Sequence, residues 1–272
     1  MKKHLLPFAI ALIAAIIVAG CKKKTDGFDS DTATSYSTID NLFKDVNKVI
    51  NDAAAENNLS GKMESTESLC AEVTITPADL VTFPKTVVVD FGSVGCIDMN
   101  GVTRKGKFTA VFTNYLNQPG AHVEVTFQDY YVNGVKLEGI YDLANTSPNT
   151  NSRSFADTVT NGKATTPDNK FCTWTSYRSS VQSAGFNTPT LTDDEYTGQA
   201  QSFGVGFGGK NFNATSTNIV WRLACRYLVS GNVSILSGTD PTPILVDFGS
   251  GTCDNKYDVS YSIYHTALVF WY

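Results

Sequence analysis

Pro84–Cys96 reads PKTVVVDFGSVGC, and Pro241–Cys253 reads PTPILVDFGSGTC, an ungapped match at a constant offset of 157 residues. Pro, Val, Asp, Phe, Gly, Ser and Cys recur at equivalent places: Pro84/Pro241, Val89/Val246, Asp90/Asp247, Phe91/Phe248, Gly92/Gly249, Ser93/Ser250 and Cys96/Cys253. In the first copy Val87, Val89 and Phe91 fall on one face of an extended chain and Val88 and Asp90 on the other, the period-2 pattern of a strand with one apolar face. The proline stands just ahead of the strand, where its missing N–H costs no ladder bond. A glycine ends the strand and a short polar turn leads to a cysteine. The duplicated unit therefore reads as strand, tight turn and staple. Its Asp-Phe-Gly triplet also occurs in a kinase metal-binding loop, but no lysine-bearing strand or catalytic loop accompanies it here.

A second cysteine precedes each copy: Cys70 opens CAEVTI and Cys225 opens CRYLVSGNVSI, with separations of 26 and 28 residues to Cys96 and Cys253. The expected bridges are Cys70–Cys96 and Cys225–Cys253, each worth roughly 3 kcal/mol in the chain-entropy account. The crossed pairing, Cys70–Cys253 with Cys96–Cys225, is compatible with the same spacing.

At the N-terminus, Met1-Lys2-Lys3-His4 is a basic leader and Leu5–Val18 an apolar run too short to span a bilayer comfortably. Val18-Ala19-Gly20-Cys21 resembles a bacterial lipobox. Residues 1–20 are thus read as a lipoprotein signal peptide and Cys21 as the lipidated (palmitate-bearing) N-terminus of the mature chain. Five cysteines then remain, and two bridges suit an oxidising compartment. The spare is Cys172, expected as a buried thiol. Without residues 1–20 the chain has 252 residues with 19 basic against 26 acidic side chains, a charge of −7, which argues against nucleic acid as a partner.

Residues 21–36 read as a flexible polar tether. Residues 37–60 follow as the one amphipathic helix: Ile39, Leu42, Phe43, Val46, Val49, Ile50 and Ala53 share one face, and Asp40, Lys44, Asn47, Lys48 and Asn51 lie largely opposite. Residues 61–272 read as a β domain whose internal repeat occupies 70–141 and 225–272. Val123, Val125 and Phe127 alternate with polar neighbours, Asn133-Gly134 signals a hairpin, Asn145–Asp194 looks looser and rich in Thr, Ser and Asn, and strands resume at Thr217–Val229. The expected fold class is all-β with that single N-terminal helix, either an antiparallel β-sandwich or two related β half-domains.

Phe83–Phe108 (FPKTVVVDFGSVGCIDMNGVTRKGKF), Tyr130–Lys136 (YYVNGVK) and Cys225–Lys256 together resemble a family of uncharacterised Bacteroidota cell-envelope lipoproteins. The resemblance covers most of the mature chain. It implies a cell-envelope location and an all-β fold, and no catalytic activity.

Asp98 and Asn100 after Cys96, with Asp254 and Asn255 after Cys253, place oxygen ligands in stapled turns, as calcium requires; the same residue types also build turns by bonding their own backbone. Arg104, Lys105 and Lys107 form a basic cluster suited either to protecting a sheet edge or to contacting an anionic glycan or lipid head group. Tyr130, Tyr131, Trp174 and Tyr177 are candidates to stack sugars or to fill the core. Gly204–Gly209 satisfies G-x-G-x-x-G, but no helix follows it, and no acid occurs between Glu195 and Asp240, so a dinucleotide site is not expected. No cofactor other than calcium is expected, and no nucleophile elbow or zinc-protease motif is present. The sequence thus points to a lipid-anchored cell-envelope protein, expected at the outer membrane, with a binding or structural role and a glycan or envelope protein as partner. The alternative is a carbohydrate-active enzyme using paired carboxylates.

Overall fold

In the computed structural model one helix, α1 (Ser30–Glu56), has 21 of its 27 residues buried, on every side of its axis. A helix buried all round needs a surrounding wall, and the strands supply it. The structure describes residues 30–60, 69–79 and 81–269; the expected signal peptide, Cys21 and the first part of the tether lie outside the described residues. The first half of the wall comprises β1 (Glu72–Thr76), β2 (Lys85–Asp90), β3 (Cys96–Ile97), β4 (Thr103–Phe112), β5 (His122–Val132), β6 (Val135–Asn145) and β7 (Ser154–Thr165). The second comprises β8 (Phe171–Ala184), β9 (Glu195–Val205), β10 (Asn211–Arg222), β11 (Leu228–Ser237), β12 (Ile244–Ser250), β13 (Lys256–Tyr261) and β14 (Tyr264–Val269). All pair antiparallel in one continuous sheet running from β1 to β14 in chain order, with β3 set aside on β4.

The all-β class with a single N-terminal helix is what the structure has, its strands forming one continuous antiparallel sheet that includes both copies. Inward side chains from β2 to β13, among them Val89, Phe108, Tyr141, Trp174, Ala214 and Val246, join the helix in one core. Wrapping demands strong coiling, which bulges provide. At one of them Gly139 has φ +119°, and a Cβ there would lie 2.8 Å from the Asn161 carbonyl oxygen.

Three boundaries differ from the sequence reading. The helix begins at Ser30, inside the expected 21–36 tether, because its polar first turns find partners in the wall: the Ser35 hydroxyl accepts from Phe207 N–H (2.9 Å) and Thr32 bonds Ser237 (3.0 Å). The stretch 145–194 carries the long strands β7 and β8; most Thr and Ser of these strands lie on the outer side, the buried Ser180 excepted, while Phe155, Val159, Cys172 and Trp174 are buried toward the helix. The expected strand 217–229 is broken, β10 ending at Arg222.

Both expected disulfides are present, Cys70–Cys96 and Cys225–Cys253, with Cα separations of 6.0 and 5.8 Å. Each ties the chain ahead of one strand (β1 or β11) to the chain just past the turn that follows its partner (β2 or β12), which in the first copy is the start of β3.

Candidate functional site

The repeated Asp-Phe-Gly does the same local work twice. Asp90 Oδ1 accepts from Gly92 N–H and Asp247 Oδ1 from Gly249 N–H, both at 2.8 Å. Both glycines have positive φ, +74° and +89°. Phe91 and Phe248 are buried. The unit is therefore a self-bonded turn on an apolar strand end.

The copies differ in what surrounds that turn. In the first, the turn leans on β4: Phe91 N–H donates to Gly106 O and Gly106 N–H to Gly92 O, both 2.9 Å. Gly106 (φ +77°) sits in a bulge against β5 where a Cβ would lie 1.8 Å from the Asp129 carbonyl oxygen. Asp129, also left-handed at φ 46°, adds a residue to the outward face of β5, so that Gln128, Asp129 and Tyr131 all project outward while Tyr130 is buried. The result is an open depression of about 480 Å³ with a glycine floor and a rim that includes Lys105, Lys107, Asp129 and Tyr131. In the second copy the turn leans the other way, Gly251 N–H donating to Val229 O. There Asp247 faces Asp258 across the ladder, where Asp90 faces Lys107 in the first.

Of the expected basic cluster, Lys105 and Lys107 stand on this rim and Arg104 does not. Strand alternation turns Arg104 inward, 2 % exposed, where its guanidinium clasps Asp45 (Nε–Oδ2 2.9 Å, and Nη2 to Oδ1) and Asp98 Oδ2 (2.7 Å from Nη1). Asp98, a calcium candidate, gives its other oxygen to Asn100 and Val102 N–H. Burial alone would raise its carboxyl, but Arg104 and those N–H groups hold it below the usual range. Asp254 Oδ1 likewise accepts from Lys256 N–H. These aspartates are used as turn builders and Asp98 also as an ion-pair partner; Asn100 is exposed and Asn255 half-buried. Among the described residues no three His, Cys, Asp or Glu side chains are grouped to hold a metal ion.

Tyr130 and Trp174 are core residues, whereas Tyr177 is 53 % exposed beside Phe203 on the outer face of β8 and β9, ring centroids 6.3 Å apart. Cys172 is buried, and burial pushes its thiol up to about 12, which keeps it protonated and unreactive. Gly204–Gly209 ends β9 and forms the hairpin loop to β10. This loop lies over the first turn of α1, and Cβ atoms at Gly206 and Gly208 would meet Ser35 and Asp31. Gly206 and Gly208 thus serve close packing on the helix, while Gly204 lies against β8.

The wall also carries charge that the sequence did not reveal. Arg178 bonds Asp40 and stands 3.9 Å from Asp157. Burial raises Asp40 and, despite Arg178, lifts Asp157 to about 6. This is a carboxylate pair with raised pKa, the arrangement a glycosidase needs, but it brackets a guanidinium under the helix. The space beside Asp157 is about 10 Å³, the size of one water.

Lys44 donates to the Cys225 carbonyl, and burial pushes its ammonium down to about 7. Asp45, Lys48, Asp40 and Arg178 are the charged groups around it. Between pH 7 and 10.5 the folded chain holds fewer protons at Lys44 than the unfolded chain, so stability rises with pH across that window; below pH 7 the burial penalty is felt in full. Thermal melts are expected to shift upward from pH 7 to 9, with a smaller slope in Lys44→Met. Equal slopes in the two proteins would show that Lys44 does not titrate there.

No protein-family model, curated protein or solved structure matches this chain.

Proposed function

We propose that the chain is a lipid-anchored cell-envelope protein that acts by binding, through the depression beside the first Asp-Phe-Gly turn. The anchored location follows from the basic leader, the apolar run and the lipobox-like residues ending in Cys21. One observation carries the binding reading: the molecule contains its own control. The second copy keeps the turn, the buried phenylalanine and the disulfide without Lys105, Lys107, the β4–β5 bulge or Tyr131, so the scaffold does not need them. A glycine-floored bulge of this kind is the feature that folds re-aim near functional sites. Among the described residues the helix fills the interior, and the raised-pKa carboxylates are closed off there.

The test uses the full chain in detergent micelles against a glycan array and an envelope-protein pull-down. Wild type is expected to retain a ligand that Ser93→Trp, which plugs the depression from its exposed rim, loses at least tenfold. In the native cell Cys21→Ser is expected to stop palmitate incorporation. Undiminished binding by Ser93→Trp would remove the depression from the account, and cleavage of an array glycan would replace binding by catalysis.

A further inference from the structure

We infer that the ligand of this depression is an acidic saccharide, a sugar bearing a carboxylate, which rests on the binding role proposed above. Four features of the rim converge on that chemistry. First, Lys105 and Lys107 project outward on one strand, and among the described residues neither has a carboxylate within salt-bridge reach, in contrast to Arg104 between them and the helix. Second, both acids of the lining are already engaged, Asp129 by Lys136 at 3.2 Å and Asp90 by Gly92 N–H, and Glu72, across the ladder from Asp90, lies on the side away from the lysines. The rim is thus left with one more cation than anion on a chain whose formal charge is −5. A concave, locally positive spot on an acidic protein favours a compact anion over a polyanion, which the rest of the surface repels.

Third, Tyr131 is half-buried beside Lys105, whose Nζ lies 4.3 Å from the ring centroid. A flexible lysine resting on an aromatic face can swing toward an anion and uncover the ring, and the ring then takes the C–H face of a sugar. A bare phosphate or sulfate would use the lysines and leave the tyrosine idle. Fourth, Gln128, Ser93 and the outer oxygens of Asp90 and Asp129 supply both donors and acceptors on the same rim. Ring hydroxyls need both kinds. Charge alone or an aromatic face alone would describe a different ligand, and only their combination on one glycine-floored depression describes a uronic acid.

The experiment takes the full chain in nonionic detergent and measures binding of the methyl glycosides of galacturonic, mannuronic and glucuronic acid. Each is set beside its carboxyl-reduced form, with inorganic phosphate and glycerol 1-phosphate, the soluble head group of an anionic lipid, as further arms. At least one uronate is expected to bind ten-fold or more tightly than its carboxyl-reduced form. Lys105→Ala/Lys107→Ala should weaken it about ten-fold and Tyr131→Ala by a similar factor, and raised salt should weaken wild type more than the double variant. Binding of reduced and acidic forms with equal affinity would overturn the acidic class while leaving the depression as a glycan site. Phosphate or glycerol phosphate binding that Tyr131→Ala does not alter, with no uronate bound, would overturn the saccharide. Binding of no probe here, with no glycan or envelope protein held in a manner sensitive to Ser93→Trp, would overturn both this inference and the binding role.

Discussion

Arg178→Met is expected to cost about 3–5 kcal/mol of folding free energy, the usual consequence of removing one member of a buried ionic group and leaving its partners uncompensated. Arg178 reaches from β8 to Asp40 on the helix and to Asp157 on β7, and its guanidinium also lies 5.4 Å from the Trp221 ring centroid. Without it two carboxylates remain under the helix, and burial already lifts Asp157 to about 6 with the cation in place. The sign of the pH effect follows from those raised values. A carboxyl raised in the folded state stabilises most when protonated, so the variant's deficit should shrink as pH falls from 7 toward 4. Urea titrations at pH 7 and pH 4.5 measure both. Adding Asp40→Asn and Asp157→Asn to Arg178→Met should recover much of the loss at pH 7, since no buried charge is then left unpaired. A single-variant loss below about 1 kcal/mol at pH 7 would mean that the helix is held by apolar packing alone.

The same residues show where the sequence was legible. Period-2 patterning around Val87–Phe91 and Ile244–Phe248 and the cysteine spacing led to the right strands and bridges, because both signals are local. The helix was recognisable from Ile39, Leu42, Phe43, Val46 and Val49. What it packs against was not. Asp40, Lys44 and Asp45 look like a solvated face, and the partners that make burial tolerable lie far along the chain: Arg178, the Cys225 carbonyl and Arg104 are 138, 181 and 59 residues away from theirs. A buried helix with a charged side differs from a surface helix only in what faces it, which no window of sequence contains. The extra turns at Ser30–Tyr36 were hidden for the same reason, their hydroxyls being matched by Phe207 N–H and Ser237. At the candidate site, Lys105 and Lys107 were visible as charges. Their separation from Arg104, and the company of Tyr131, became apparent only once strand alternation and the Gly106–Asp129 bulge were fixed.

That separation makes the last large effect a contrast among three neighbours. Arg104→Met should cost about 3 kcal/mol, whereas Lys105→Ala and Lys107→Ala should each stay within about 0.5 kcal/mol of wild type. Arg104 closes a three-part link: two bonds to Asp45 on the helix and one to Asp98 in the turn behind Cys96. Both carboxylates are nearly enclosed, with side-chain exposures of 10 % and 5 %, so neither can be rehydrated without moving the turn or the helix. The Cys70–Cys96 bridge holds one end of that turn in the variant, so the lost order should concentrate at 98–103 and in the helix around Asp45. Hydrogen exchange by mass spectrometry should therefore show faster exchange in those two segments while 225–253 keeps its protection, because the second stapled loop is closed by its own Cys225–Cys253 bridge. Equal melting temperatures for all three variants would place Arg104 on the surface with its neighbours. A loss spread evenly over the sheet would mean that the link supports the whole wall. The expected pattern, one costly substitution beside two silent ones, follows from a single fact of strand geometry: successive side chains point to opposite faces.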